Sequence, residues 1–410
     1  MDFLFIHGNY PAQFRHLASL LGQEQQHRVV FLTARQDAAN EPVPGIETRT
    51  FACHRSPHPE THHYLTATED AVLQGQAVIK EVHNLIEEGL RPRVVVTHSG
   101  VGVGLFIKDL LPNALHVGYF EWFFRPATAK HLLKNFDLDN QLRIGLRNLV
   151  ILHELENCDL GVVPTHWQKS QFPNTYQQKL SVIFDGIDTN FFHPCPTGLS
   201  LEEKDLAIAN RESGETFHLT AGNKIISYAT RGMEPLRGFP EFLRALPTLL
   251  KEDPMLQVVI AGADRRAYSY DAPSHNGSWK EHLLDELGEF AGRERILFTG
   301  LLNYTDYRAL LWRSNLHCYF THPYVTSWSL FEAAACGAKL AVSRNPATDG
   351  IAEDESVTWL NLDSEQSLSP ILRKALQDKN HPAAQIKPGF ELSRSLQLWE
   401  QLLNQGLRSS

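Results

Sequence analysis

Ile226-Ser227-Tyr228-Ala229-Thr230-Arg231-Gly232-Met233-Glu234-Pro235-Leu236-Arg237-Gly238-Phe239-Pro240 begins as an apolar stretch, passes through a turn carrying two arginines, and opens into a helical pattern over 241–250. A strand that turns directly into a helix is the repeating unit of parallel α/β sheets. Gly238 and Pro240 are residues that favour a helix start. The turn also has a chemical reading. Two arginines next to the free N–H groups of a helix N-terminus put fixed positive charge at one strand end, which is where an α/β sheet binds a diphosphate. Taken alone, the same residues read equally well as two solvated arginines in a loop.

Outward from this segment the pattern recurs. Apolar runs at 225–229, 257–262, 295–300, 317–320, 340–343 and 357–360 are mostly followed by a polar turn and a helix pattern. The first half has runs at 3–6, 28–32, 94–97, 116–120 and 160–164, with helix-like stretches at 67–88 and 142–157. Several runs are continuous rather than alternating, as strands covered on both faces must be. A further strand at 180–184 breaks at Asp185-Gly186-Ile187-Asp188, and the Pro-rich crossing 191–196 follows. The expected organisation is therefore two α/β domains, 1–187 and 188–389. Residues 390–410 form an amphipathic helix, with Leu392, Leu396, Trp399, Leu402 and Leu403 on one face. It is expected to pack back toward the first domain.

The bulk numbers agree with a folded globular protein of two domains. The chain has 410 residues, 42% hydrophobic and 21% charged, with a formal net charge of −9. That charge provides no basic field for a polyanion, so nucleic acid is not an expected partner. The five cysteines are scattered and lack any C-x-x-C pair, which suits a reducing cytoplasm and argues against structural zinc. No stretch reaches the roughly 20 apolar residues needed to span a bilayer. Peripheral membrane contact stays open.

A second segment, Ser327-Trp328-Ser329-Leu330-Phe331-Glu332-Ala333-Ala334-Ala335-Cys336-Gly337, precedes an apolar run to Ser343. Its small residues let a helix lie close to a neighbour. Glu332 stands near the helix start, where it is either an acid favoured by the helix dipole or an acceptor for two vicinal hydroxyls such as those of a ribose.

Together and in this order, these segments resemble the family-4 glycosyltransferases, most strongly over 181–354 and more faintly across the first domain. The resemblance implies the GT-B fold: two Rossmann-like, doubly wound parallel-sheet domains facing across a cleft, α/β throughout. Val182-Ile183-Phe184-Asp185-Gly186-Ile187-Asp188 is similar to the family's hinge motif. Arg231, and Arg237 where the family usually has lysine, would bind the donor diphosphate and act in catalysis. Gly262, Gly300 and Glu332 also match family positions. Gly262, Ser327, Trp328, Ser329, Leu330 and Glu332 are carried over as donor-binding. The chain departs from the family pattern in three places. The Arg231-to-Arg237 spacing is one residue longer than usual. The earlier of two paired glutamates is replaced by Tyr324, and the glycine-rich run between them by Val325-Thr326-Ser327-Trp328.

In the first domain, Gly8 and Asn9 follow the first strand where related enzymes bring a loop to the donor phosphates. The glycines of His98-Ser99-Gly100-Val101-Gly102-Val103-Gly104 suit either a phosphate cradle or tight helix–strand packing. Glu121, at the end of the strand 116–120, stands among aromatics. It is either an active-site acid or the structural partner of Arg125. His98 and Glu121 are the first-domain catalytic candidates. Of His54, His58, His62 and His63, the first three recur every fourth residue and would share a face on a helix, which Pro57 and Pro59 oppose, so the stretch reads as a solvated loop. Residues 265–279 read as a loop near the nucleotide.

The expected function is retaining transfer of a sugar from a nucleotide-diphosphate donor, UDP-sugar first and GDP-sugar next, to an unidentified acceptor, with no cofactor and no metal. The alternatives are a GT-B nucleotide-sugar epimerase and a non-catalytic nucleotide-sugar-binding protein.

Overall fold

The computed structural model describes residues 1–410 apart from Gln25, Lys134, Ser200, Asp271, Ser274, Glu365 and Ser410. The chain forms two compact units. The first comprises Met1–Ala129, Phe136–Gly186 and Glu391–Ser410; the second comprises Lys130–Asn135 and Ile187–Phe390.

The first unit holds seven strands: β1 (Asp2–His7), β2 (Arg28–Thr33), β3 (Ile46–Thr50), β4 (Pro92–Ser99), β5 (Leu115–Phe120), β6 (Leu160–Val163) and β7 (Leu180–Val182). Their order is β3-β2-β1-β4-β5-β6-β7, and every pairing is parallel. The sequence Phe3-Leu4-Phe5-Ile6 explains why the apolar run is unbroken. Successive side chains point to opposite faces, so Phe3 and Phe5 join Phe14, Phe31, Trp399 and Leu403, while Leu4 and Ile6 join Val30, Val78 and Val82. The helix Thr66–Glu87 covers the second face. On the first face the C-terminal helix Leu392–Ser409 contributes Trp399, Leu402 and Leu403 to the core. Residues 142–157 form two helices rather than one, Leu138–Leu146 and Asn148–Asn157. The second is pinned by the Asn148 side chain, which accepts from Phe124 N and donates to Phe124 O, each at 2.9 Å.

The second unit opens with a small antiparallel hairpin, β8 (Leu206–Ala209) with β9 (Thr216–Leu219). Six parallel strands follow: β10 (Lys224–Ala229), β11 (Leu256–Ala261), β12 (Ile296–Gly300), β13 (Leu316–Tyr319), β14 (Leu340–Ser343) and β15 (Val357–Leu360). They are ordered β12-β11-β10-β13-β14-β15. Tyr228, Phe242 and Phe320 lie in the core on one face, beside Leu246 and Leu249 of the helix Phe239–Glu252. The hairpin residues Ile208 and Leu219 cover Ile225 and Val259 on the other. In both units the strand order reverses once, between β1 and β4 and between β10 and β13. Ligands of such sheets bind outside the strand ends at that switch. Among the described residues no helix is long and apolar enough to cross a membrane.

Candidate functional site

In the second unit the switch point lies between the loops after β10 and β13, and both arginines of the opening segment are there. Arg231 is exposed, with its Nη1 3.4 Å from the Tyr268 hydroxyl. Arg237 is only 4% exposed. Its Nη1 donates to Thr321 Oγ1 at 2.9 Å and Val325 O at 3.0 Å, and its guanidinium carbon sits 5.0 Å from the centre of the Tyr268 ring. Among the described residues no carboxylate lies within ion-pair distance of it. The buried Glu234 helps to hold its charge from beyond contact distance, but a buried cation with no ion pair in contact is still costly unless neutral acceptors hold it and an anion can reach it. Arg313 is also buried, but it lies at the opposite end of β10, where its Nη2 donates to the carbonyls of Thr220 and Asn223. Position in the sheet separates a clamp on carbonyls from a candidate anion site.

The loop beyond β11 is organised by Glu234, a residue with no functional signal in the sequence. Its buried carboxylate accepts the amides of Ala267, Tyr268 and Ser269 at 2.8–3.2 Å, which sets the Tyr268 ring beside both arginines. Tyr324 packs edge-on to Tyr268 at 5.4 Å. An aromatic surface therefore stands at the position of the missing acid. A cavity of about 570 Å³ adjoins this loop, lined by Arg265, Tyr268, Ser269 and Asn276 among others.

The helix Trp328–Ala335 is capped by Ser327, whose Oγ accepts from Ser329 N at 3.4 Å, while Leu330 N donates to Ser327 O at 3.3 Å. The Leu330 side chain is core. Glu332 lies in the second turn, not the first, so the helix-dipole reading does not account for it. It is 7% exposed, its carboxylate has no hydrogen-bond donor among the described residues, and burial pushes its carboxyl up to about 8. Gly262 has a backbone role of its own. At φ +143° a Cβ there would stand 2.0 Å from Thr230 O, so glycine is required for the β10 and β11 loops to pass.

In the first unit the switch point gathers His7, His98 and Glu121 from the ends of β1, β4 and β5. His98 Nε2 is 3.6 Å from Glu121 Oε2, and the His98 ring centre is 4.2 Å from that of His7. Gln13 links the set, bonding His7 Nε2 at 2.9 Å and donating to Glu121 Oε1 at 3.4 Å. Arg125 is not the partner of Glu121, because its Nε donates to Gln171 O at 2.7 Å. Gly8 has open space where a side chain would be, and Asn9 N donates to His7 Nδ1 at 2.8 Å.

The glycine loop 98–104 is a packing loop, closed by an internal acid rather than by a ligand. Glu154 is buried and accepts the Gly100 amide, and burial raises its carboxyl to about 7. A Cβ at Gly102 would collide with Ala71 O at 2.0 Å. His54, His58, His62 and His63 are exposed and non-helical.

The same division into halves appears in comparisons with known proteins. Residues 25–192 match the model of the glycosyl transferase family 4 group, and residues 214–391 match that of the glycosyl transferases group 1. Between them they account for most of the chain. The chain belongs to the family 4, group 1 glycosyltransferases. No curated protein matches its sequence. Among solved structures, this glycosyltransferase resembles sucrose-phosphate synthase from Thermosynechococcus elongatus, with a TM-score of 0.69 and 16% identity over 100% of both chains. It also resembles the catalytic domain of starch synthase IV from Arabidopsis thaliana bound to ADP and acarbose (0.61, 13%, 99% of both chains). A putative UDP-N-acetylglucosamine 2-epimerase from Listeria monocytogenes is more distant at 0.56 and 15%, covering 100% of this chain and 97% of that one. At these identities the likeness shows the fold, which is GT-B.

Proposed function

We propose that this glycosyltransferase transfers a sugar from a nucleoside-diphosphate donor, a UDP-sugar first and a GDP-sugar next, with retention of configuration at the transferred carbon. The second unit takes the donor. Arg231 and Arg237 meet the diphosphate, Glu332 accepts the ribose hydroxyls, and the cavity beside Tyr268 receives the base. The first unit takes the acceptor, with His98 and Glu121 at its reactive end. The acceptor oxygen bonds to the anomeric carbon on the face from which the carbon–oxygen bond to the diphosphate breaks. The leaving diphosphate keeps that electron pair and takes the acceptor's proton. No strong protein base is then needed, and two guanidinium groups stabilise charge on the leaving oxygens as it grows. They stand where a metal serves in other enzymes, so no cofactor enters the reaction. Free cysteines and the net charge of −9 fit a cytoplasmic setting.

The observation that carries this reading is Arg237, a buried guanidinium held by neutral acceptors at the switch of its sheet. The test is a thermal-shift screen against nucleoside-diphosphate sugars, followed by assay of the binder with and without candidate acceptors. Ligand binding raises stability by mass action. A UDP- or GDP-sugar is expected to stabilise the protein equally with and without EDTA and to release nucleoside diphosphate when an acceptor is added. Conversion of the donor to a different sugar nucleotide without acceptor would identify an epimerase instead.

A further inference from the structure

We propose that His131, His322 and Asp363 form a binding site for a divalent transition-metal ion, with zinc as the fitting ion. One ligand atom from each residue lies within 4.8 Å of the others. The two imidazoles are 11° from parallel with centres 4.5 Å apart, and His322 Nδ1 is 3.7 Å from Asp363 Oδ1. That last distance is too long for a hydrogen bond. It is close to the spacing of two ligands on one tetrahedral ion, roughly 3.3–3.6 Å when each bond to zinc is about 2.0–2.2 Å. Neither imidazole nor the carboxylate makes a side-chain hydrogen bond among the described residues, so the three groups converge without satisfying one another. Imidazole with carboxylate is a donor set that suits zinc better than magnesium or calcium.

The backbone already holds these residues in place. His131 sits in the short turn Lys130–Leu132, and Leu132 O accepts from Tyr270 N at 2.9 Å. His322 follows β13, and its own amide donates to Leu236 O at 2.8 Å. The ion would fasten 130–135, a six-residue excursion of the chain into the second unit, against the strand end that carries His322. Three protein ligands leave a position for water. The role is structural, because the charge on the diphosphate is met by the arginines.

The test is calorimetric titration of the chelator-treated full chain with zinc chloride, with cobalt(II) absorption as a second readout. One equivalent is expected to bind and to raise the melting temperature. His131→Asn and His322→Asn should each weaken binding by roughly tenfold or more, at least the scale of losing a ligand's supporting contact. The double variant His62→Asn/His63→Asn, on the exposed histidine loop, should bind as the wild type does. Circular dichroism of the metal-free variants checks their folding. Asp363→Asn, at an exposed position, supplies a measurement if a histidine variant fails to fold, and it should lose the tetrahedral cobalt band. Failure of the wild type to bind zinc, or affinity in folded His131→Asn and His322→Asn equal to that of the wild type, would overturn the assignment.

Discussion

Glu234 Oε2 accepts the backbone amide of Tyr268 at 3.0 Å, and through that bond a buried acid fixes the ring that lies beside both arginines. Neighbouring amides from Ala267 and Ser269 converge on the same oxygen. Glu234→Gln replaces one acceptor oxygen with a donor and leaves amides unmatched. Hydrogen bonds to charged groups are each worth about 1.5–3 kcal/mol, so a loss of at least that size is expected in urea unfolding, together with weaker nucleotide binding. An unchanged urea midpoint and unchanged affinity would refute the anchoring role.

Glu332 combines a binding expectation with a stability expectation of opposite sign. Its carboxyl is raised by burial to about 8 from an ordinary 4.5. The native state therefore holds a proton that the unfolded chain has released, and stability falls as pH rises from about 4.5 to about 8. Glu332→Gln should remove this slope and unfold at higher urea than the wild type at pH 8, with little difference at pH 4.5. If Glu332 accepts the ribose hydroxyls as proposed, the same change should weaken nucleotide affinity by about 1.5–3 kcal/mol above about pH 8, where the carboxylate is charged, and by less at lower pH, where it is protonated. Superimposable pH profiles for the two proteins would exclude the buried-acid account.

If Arg231 and Arg237 meet the diphosphate as proposed, they act where charge grows, and their loss should appear more in turnover than in binding. Arg231→Ala is expected to lower kcat on the order of a hundredfold or more, the scale for removing one electrostatic donor from a reacting oxyanion. Arg237→Lys should retain more turnover than Arg237→Ala, since a point charge still meets a phosphate. Near-normal kcat in folded Arg231→Ala would move the diphosphate elsewhere.

His98 and Glu121 stand close enough to act as one unit. In kcat/KM, the double variant His98→Ala/Glu121→Ala should cost less than the sum of the two single variants, as expected for coupled residues. Strict additivity would separate them.

Much of the framework was legible because parallel strands covered on both faces must be continuously apolar. Phe3-Leu4-Phe5-Ile6 and Val258-Val259-Ile260 have no other comfortable environment. β3 escaped because Ile46-Glu47-Thr48-Arg49-Thr50 is a half-exposed edge strand with one apolar residue. The β8–β9 hairpin escaped because each of its short strands fully buries only one residue, so neither is an unbroken buried run. In the site, the motif positions of Arg231, Arg237 and Glu332 could be read from local sequence. The supporting acids could not. Glu154 reaches a loop some fifty positions earlier and Glu234 one some thirty positions later, and pairings of that kind leave no local periodicity. The His98–Glu121 contact joins two strand ends that the sequence identified separately, while Arg125, the neighbour in sequence, is engaged elsewhere.

The C-terminal helix has a consequence for how the chain is made. Trp399, Leu402 and Leu403 complete a core begun by Phe3 and Phe5, so segments far apart in sequence close one hydrophobic layer. During synthesis the first sheet emerges early, yet it must wait for nearly the entire second unit to be translated before its last covering element arrives. Domains commonly fold in the order in which they leave the ribosome. Here that order is inverted in part. The unit that starts first finishes last, and until it does one face of its sheet offers apolar surface to chaperones and to other nascent chains.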